Sequence, residues 1–393
     1  MRNVVIVAAS RTPIGTIGGQ FKDITSLDLS VPVMQELVKQ AGIDSSMIQD
    51  VIWGCNYQRT YKENNLARVA LIKAGLPASV PGITIHRNCT SSMSSIQMGL
   101  YQIMAGEADC IMAGGADSMS TAPHMVFNAR YGQKFGHMEM RDSMWDSLTN
   151  LGVGPGMGIT AENVAEMFNV TREEQDQYAQ QSQERAISAI DGGRFKEEII
   201  PITIKGRKSE TTYDTDEYPK RGVTLEGLAK LKPAFKDDGT VTPGNASGMN
   251  DAASGVIIMA EEKAKQLGVP ILCRILSTAT TGVEPEIMGI GPISATNKAL
   301  EKAGLKIDDI DLFEINEAFA SQCLACQKEL GIDINKLNVN GGGISLGHPV
   351  GATGARIVIS LIYEMKRRGN KYGVATLCAG GGMGTALVIE MPQ

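Results

Sequence analysis

The chain has 393 residues, 43% hydrophobic and 20% charged, with a net charge of −6. That length supports two or three domains with large cores, and the composition excludes a disordered or fibrous chain. No cluster of Lys and Arg marks a nucleic-acid or membrane surface, so neither partner is expected.

The opening MRNVVIVAASRTPIG lacks a secretory leader's charged-then-apolar layout. It reads as a first buried strand, Val4–Ala9. A helix from about Leu27 to Gln40 follows, closed by Gly42. Next come a strand at Val51–Gly54, a helix near Leu66–Ala74, a strand at Ile83–His86, a helix at Ser91–Ala105 and a strand at Asp109–Gly114. Residues 119–249 break the rhythm with a Met-rich start, a glycine run at Gly152–Gly158 and charged stretches. Within them, Thr171-Arg172-Glu173-Glu174 is a capping box for a long helix ending near Gly192. From about residue 270 the order repeats: strand Ile271–Ser277, helix Ile293–Ala303, strand Asp311–Ile315, helix Ala318–Leu330, short strand Leu337–Asn340, helix Thr353–Arg368 and strand Gly373–Cys378. Strand–helix alternation implies parallel sheets covered by helices, hence an α/β fold. The repeated order implies a duplication. The expected division is 1–118 with 250–269 as one half, 119–249 as an inserted loop domain, and 270–393 as the other half.

Seven cysteines, odd in number and irregular in spacing, point to a reducing compartment rather than a disulfide scaffold. No apolar run reaches the ~20 residues that span a bilayer. The end, Met391-Pro392-Gln393, carries no retention or peroxisomal address, and a cytoplasmic enzyme is expected.

Three residues stand in distinctive settings. Cys89 lies in His86-Arg87-Asn88-Cys89-Thr90-Ser91-Ser92, at the N-terminus of a predicted helix, where the dipole and free N–H groups favour a thiolate. His348 lies between Asn340-Gly341-Gly342-Gly343 and Gly351-Ala352-Thr353-Gly354, and Pro349 biases it away from helix. Cys378 ends an apolar strand before Gly380-Gly381-Gly382, whose N–H groups suit an oxyanion. A cysteine, a histidine and a second cysteine supply a nucleophile, its base and a further proton-transfer group, a set suited to carbon–carbon bond chemistry on thioesters. Asn316, at a strand end, places an amide to hold a water against an enolate oxygen, or serves as a helix cap. Asn245-Ala246-Ser247-Gly248 suits the wall of a long polar ligand, or a turn. Cys323-Leu324-Ala325-Cys326 has no second pair and reads as core packing; no metal site is expected. No GxxxxGK[ST] is present, and Gly152–Gly156 lacks the βαβ context of dinucleotide binding.

These motifs together resemble the thiolase family, in particular its acetyl-CoA acetyltransferase branch. Arg11-Thr12-Pro13-Ile14-Gly15, Gly114-Gly115-Ala116-Asp117-Ser118-Met119-Ser120, Met288-Gly289-Ile290-Gly291-Pro292 and Asn316-Glu317-Ala318-Phe319 extend the likeness along essentially the whole chain. The resemblance implies a duplicated α/β/α/β/α sandwich, a homodimer or homotetramer, and coenzyme A thioesters as substrates with no cofactor. It implies Cys89 as acyl acceptor, His348 as its base and Cys378 as the acid/base at the α-carbon. One oxyanion site combines His348 with a water on Asn316; the other combines the N–H groups of Cys89 and Gly380. Ser247 contacts the pantetheine arm, with Ala246, Ala318 and Leu148 beside it. Met157, Met288 and Phe319 line the acyl pocket, and Gly156 stands where short-chain members carry histidine. His86, Ser92 and Asp117 also depart from the commonest pattern. The alternatives are a broader-chain degradative 3-ketoacyl-CoA thiolase and, more distantly, a carrier-protein-dependent condensing enzyme or an inactive scaffold of this family.

Overall fold

The computed structural model describes residues 2–59, 61–206 and 209–392. The first half contributes β1 (Val4–Arg11), α1 (Ser26–Ala41), β2 (Asp50–Gly54), α2 (Leu66–Lys73), β3 (Gly82–Ile85), α3 (Ser91–Ala105) and β4 (Cys110–Ser118). After the intervening segment, which holds α4 (Met157–Met167) and α5 (Arg172–Asp191), the first sheet is completed by β5 (Asn250–Ala260). The second half contributes β6 (Cys273–Gly282), α6 (Gly291–Ala303), β7 (Leu312–Ile315), α7 (Ala320–Leu330), α8 (Val350–Arg368), β8 (Tyr372–Ala379) and β9 (Met383–Glu390).

The helix ends obey local chemistry. Thr25 caps α1 through a capping box with Asp28, and Gly42 closes the helix at φ +63°, a conformation that is cheap only for glycine. Thr171 and Glu174 form the expected box on α5.

In the first half β3, β2 and β4 run parallel, then β5 and β1 add antiparallel, in the order β3-β2-β4-β5-β1. The second half repeats this pattern. Leu337 bridges β7 in parallel, β7 pairs parallel with β8, and β9 and β6 add antiparallel. Both first strands carry a register irregularity at matching places, Ile6/Ala8 and Ile275/Ser277. The expectation of parallel sheets is therefore corrected: each sheet is mixed. The antiparallel strands β5 and β9 escape a reading based on strand–helix alternation, because each follows the preceding strand in space without a covering helix. The expected strand Leu337–Asn340 is reduced to isolated bridges, Leu337 to Phe313 and Val339 to Gly341.

Short antiparallel pairing of Val4–Ile6 with Cys273–Ile275 joins the halves. Five layers result. α1 and α2 cover the outer face of the first sheet, and α6 and α7 cover that of the second. α3 and α8 share one core with strands of both halves. Burial of α8 is complete from Val350 to Met365, as required of a helix with no solvent face. Glycine permits this closeness: a Cβ on Gly354 would stand 2.5 Å from the Met93 backbone nitrogen of α3.

Candidate active site

The three singled-out residues lie at the ends of central elements. Cys89 is half-buried, two residues before α3, while His348, just before α8, and Cys378, the next-to-last residue of β8, are buried. Asn88 precedes the cysteine at φ +45°, a left-handed conformation that asparagine tolerates better than most residues. Ser91 Oγ donates to the Asn88 carbonyl at 2.7 Å and accepts the Arg87 N–H at 2.9 Å, which pins the turn.

Across the molecule, β8 and β9 are joined by the turn Gly380–Gly382, with Gly381 and Gly382 both at positive φ. The Asn88 amide donates to the Gly380 carbonyl at 2.7 Å, and the Gly380 backbone favours the ionised form of the Cys89 sulfur. The nucleophile turn and the second cysteine's turn are thus fastened together. Cys89 is close enough to oppose ionisation of Cys378 electrostatically.

His348 reaches the same region through its helix. Val350 packs with Tyr57, Met119 and Cys89. The buried Asp117 carboxylate accepts the N–H groups of Asn56, Tyr57 and Gly351, tying the ends of β2 and β4 to the start of α8. The His348 N–H donates to Asn250 Oδ1 at 2.9 Å, and Nδ1 lies 2.7 Å from Thr353 Oγ1. Nε2 is buried and has no hydrogen-bond partner.

Asn316 follows β7 and is buried, and neither its amide nitrogen nor its oxygen finds a partner. The neighbouring Glu317 carboxylate fixes this turn, accepting from Tyr178, Ser182, Asn338 and the Ile344 N–H at 2.7–3.1 Å. Tyr178 and Ser182 belong to α5, so the intervening segment orients the Asn316 turn.

The expected pocket residues assemble beside Cys378. Met288, Ala318 and Phe319 share one cluster with it, and Met157 and Ala246 pack against that cluster. Asn245-Ala246-Ser247 pairs with Ala318–Ala320: the Ser247 N–H donates to Ala318 O and the Ala320 N–H to Asn245 O, each at 2.9 Å. Gly380 gives way to Leu151 and Met157, which a Cβ there would meet at 2.7 and 3.1 Å. Leu148 is half-buried in the helix Ser143–Thr149. Gly156 caps α4, and its Cβ position lies 3.2 Å from the Thr149 backbone. The space opened by the missing side chain is therefore bounded on one side by Leu148–Thr149.

Burial governs the ionisation of these groups. It pushes the Cys89 thiol up to about 11, although the Gly380 backbone works in the other direction. Burial, reinforced by the Arg356 guanidinium, pushes His348 down to about 3. Burial also holds Cys378 well above an ordinary thiol. Against the sequence-based expectation of a thiol lowered by the helix N-terminus, desolvation is the largest influence on this partly enclosed sulfur and acts upward. Both the Cys89 thiol and the His348 imidazole are thus pushed toward their neutral forms.

Sequence reasoning missed four neighbours. Asn88 and Thr353 carry the contacts described above. Tyr57 packs beside Cys89 and its hydroxyl lies 2.8 Å from Ser147 Oγ. Phe235 meets the Phe319 ring edge-on at 6.4 Å. Only Phe235 had a sequence signal, an aromatic inside the charged loop Lys232–Lys236.

Comparison with known proteins agrees with this architecture. Residues 4–262 match the N-terminal thiolase domain and residues 269–391 the C-terminal thiolase domain. The acetyl-CoA acetyltransferase of Syntrophomonas wolfei is 50% identical over 99% of both chains. The crystal structure of the Bacillus anthracis acetyl-CoA acetyltransferase superposes with a TM-score of 0.97 at 49% identity, covering 100% of this chain and 99% of that one. Human mitochondrial 3-ketoacyl-CoA thiolase in complex with CoA superposes at 0.96 with 44% identity, covering 100% and 98%. Matched in both halves and along its full length, the chain belongs to the thiolase family of acyltransferases.

Proposed function

We propose that the enzyme interconverts two acetyl-CoA with acetoacetyl-CoA and CoA, by ping-pong acyl transfer through Cys89. The observation that carries this reading is the Asn88 amide on the Gly380 carbonyl at 2.7 Å, because it joins the turn of the nucleophile to the turn of the second cysteine.

His348 Nε2 takes the Cys89 proton as sulfur attacks the first thioester. The tetrahedral oxyanion of this attack is held by the Cys89 and Gly380 N–H groups, while the resulting Nε2–H, with a water on the Asn316 amide, is the site for the enolate oxygen of the second acetyl-CoA; all three side-chain atoms of that site are buried and unpartnered, as such a site requires. Collapse expels CoA thiolate. Cys378 is a thiol at rest, so it serves first as the acid that protonates the departing CoA. The thiolate so formed then removes the α-proton of the second acetyl-CoA. The enolate attacks acetyl-Cys89, whose tetrahedral oxyanion is held by the Cys89 and Gly380 N–H groups. Cys89 leaves and recovers its proton from His348. Each proton is accounted for, and no further reactant is consumed.

Ser247, Ala246, Ala318 and Leu148 contact the pantetheine arm, and the segment 119–249 forms most of the CoA site. CoA thioesters are the substrates and no cofactor is required. The protein works in the cytoplasm, in keeping with seven free cysteines. It is a homo-oligomer, dimer or tetramer; the segment 124–145 exposes Phe127, Tyr131, Phe135, Met140 and Trp145, a patch that suits burial against another copy.

The acyl pocket of Met157, Met288 and Phe319, with glycine at 156, favours tolerance of longer 3-ketoacyl-CoAs, since methionines repack around different chains. A chain-length series of CoA-dependent cleavage tests this. Activity on acetoacetyl-CoA with a shallow decline to six and eight carbons is expected, and Gly156→His should steepen it by about 10-fold or more per added methylene pair. A steep fall already present in the natural enzyme would show that the Leu148–Thr149 wall fills the space.

A further inference from the structure

We propose that the Thr353 hydroxyl is a positioning residue that selects the reactive tautomer of His348. This rests on His348 being the base for Cys89. Thr353 sits in the first turn of α8, and its Oγ1 lies 2.8 Å from the Pro349 carbonyl, four residues back. A hydroxyl has one proton, and this geometry commits it to Pro349. Its lone pair faces His348 Nδ1 at 2.7 Å, so Nδ1 must carry the imidazole proton and donate it. Nε2, the nitrogen without a partner, is then the free base.

The alternative tautomer would leave a buried Nε2–H without an acceptor and set the Nδ1 lone pair against a hydroxyl oxygen whose proton points elsewhere. Both are unfavourable for buried groups. When Nε2 gains the Cys89 proton, Thr353 keeps its acceptor role and stabilises the imidazolium, so one contact serves both protonation states. The backbone supports this alignment independently: Asn250 Oδ1 accepts the His348 N–H, and Gly347 sits at φ +103°, where a Cβ would collide with the Asn250 side chain at 2.4 Å.

The test compares wild type, Thr353→Val, Thr353→Ser and His348→Asn in the rate of Cys89 acylation by acetyl-CoA. Long-range proton–nitrogen spectra of wild-type enzyme labelled at its four histidines are recorded alongside. Thr353→Val should slow acylation about 10- to 100-fold with KM for CoA unchanged, and Thr353→Ser should recover most of the rate. The spectra should show His348 protonated at Nδ1. Acylation by Thr353→Val within twofold of wild type overturns the proposal, as does a loss that Thr353→Ser does not recover. An Nε2-protonated His348 overturns it even if the valine variant does not fold. Full acylation by His348→Asn would instead remove the underlying assignment of His348 as base.

Discussion

Gly115→Ala tests how the halves are joined at the site. Gly115 lies in β4, and a Cβ there would stand 2.2 Å from the Gly351 carbonyl oxygen, 2.9 Å from the Gly54 carbonyl oxygen and 3.0 Å from Ser92 Cβ. Two of these obstacles are backbone, so no flexible side chain can yield. Relief requires a separation approaching the ~3.5 Å of an ordinary contact, so the start of α8 must retreat by about 1 Å from β4. Gly351 is three residues from His348 and is also held by Asp117 at 2.6 Å, so that retreat shifts His348 relative to Cys89. Overpacking of this kind costs about 1–3 kcal/mol of stability, and a 1 Å misplacement of a catalytic group costs on the order of 100-fold in rate. CoA-dependent cleavage of acetoacetyl-CoA should therefore fall about 100-fold in kcat. KM for CoA should change little, because Ser247 and its neighbours lie on other segments, and calorimetry should show a lower Tm. A variant with wild-type kcat would refute the claim that this contact sets the His348–Cys89 geometry.

Two further outcomes follow from the site. With burial holding the Cys89 thiol at about 11, about 10⁻⁴ of it is thiolate at pH 7, against about 3% for a free thiol. The thiolate fraction grows as pH rises, so iodoacetamide alkylation of Cys89 should increase about tenfold per unit from pH 7 to 10; a plateau near neutrality would reveal a preformed thiolate–imidazolium pair. Cys378→Ala should still acylate Cys89 but lose α-proton exchange and condensation by ~10²–10⁴-fold, and unchanged turnover would remove Cys378 from the reaction.

Much of the molecule was legible in its sequence because local rules decided it. The α1 and α5 caps, the β1 apolar run and the glycine-flanked motifs each carry their reason within a few residues. β5 and β9 were not read as strands, although Val256–Ala260 and Ala386–Ile389 are apolar runs. β5 meets β4 and β1 across long stretches of sequence, and β9 returns on β8 through the short Gly380–Gly382 turn; strand–helix alternation announces neither. The bond from Asn88 to Gly380 spans 292 positions and has no local signature. Thr353 looked like the first residue of a helix; only the fold shows its hydroxyl turned to His348. The Cys89 environment was misjudged for a related reason. A helix N-terminus is visible in sequence, whereas the enclosure that desolvates the sulfur depends on Tyr57, Met119 and Val350, which come from three separate segments.

The central claim is that Cys89 carries the acyl group between two CoA thioesters. Mass spectrometry of the enzyme after brief exposure to acetyl-CoA, with peptide mapping, tests it most directly. The account predicts one acetyl increment, on Cys89, that disappears when CoA is added and does not form in Cys89→Ala. An increment of full stoichiometry in Cys89→Ala, or one mapped to Cys378, would contradict it.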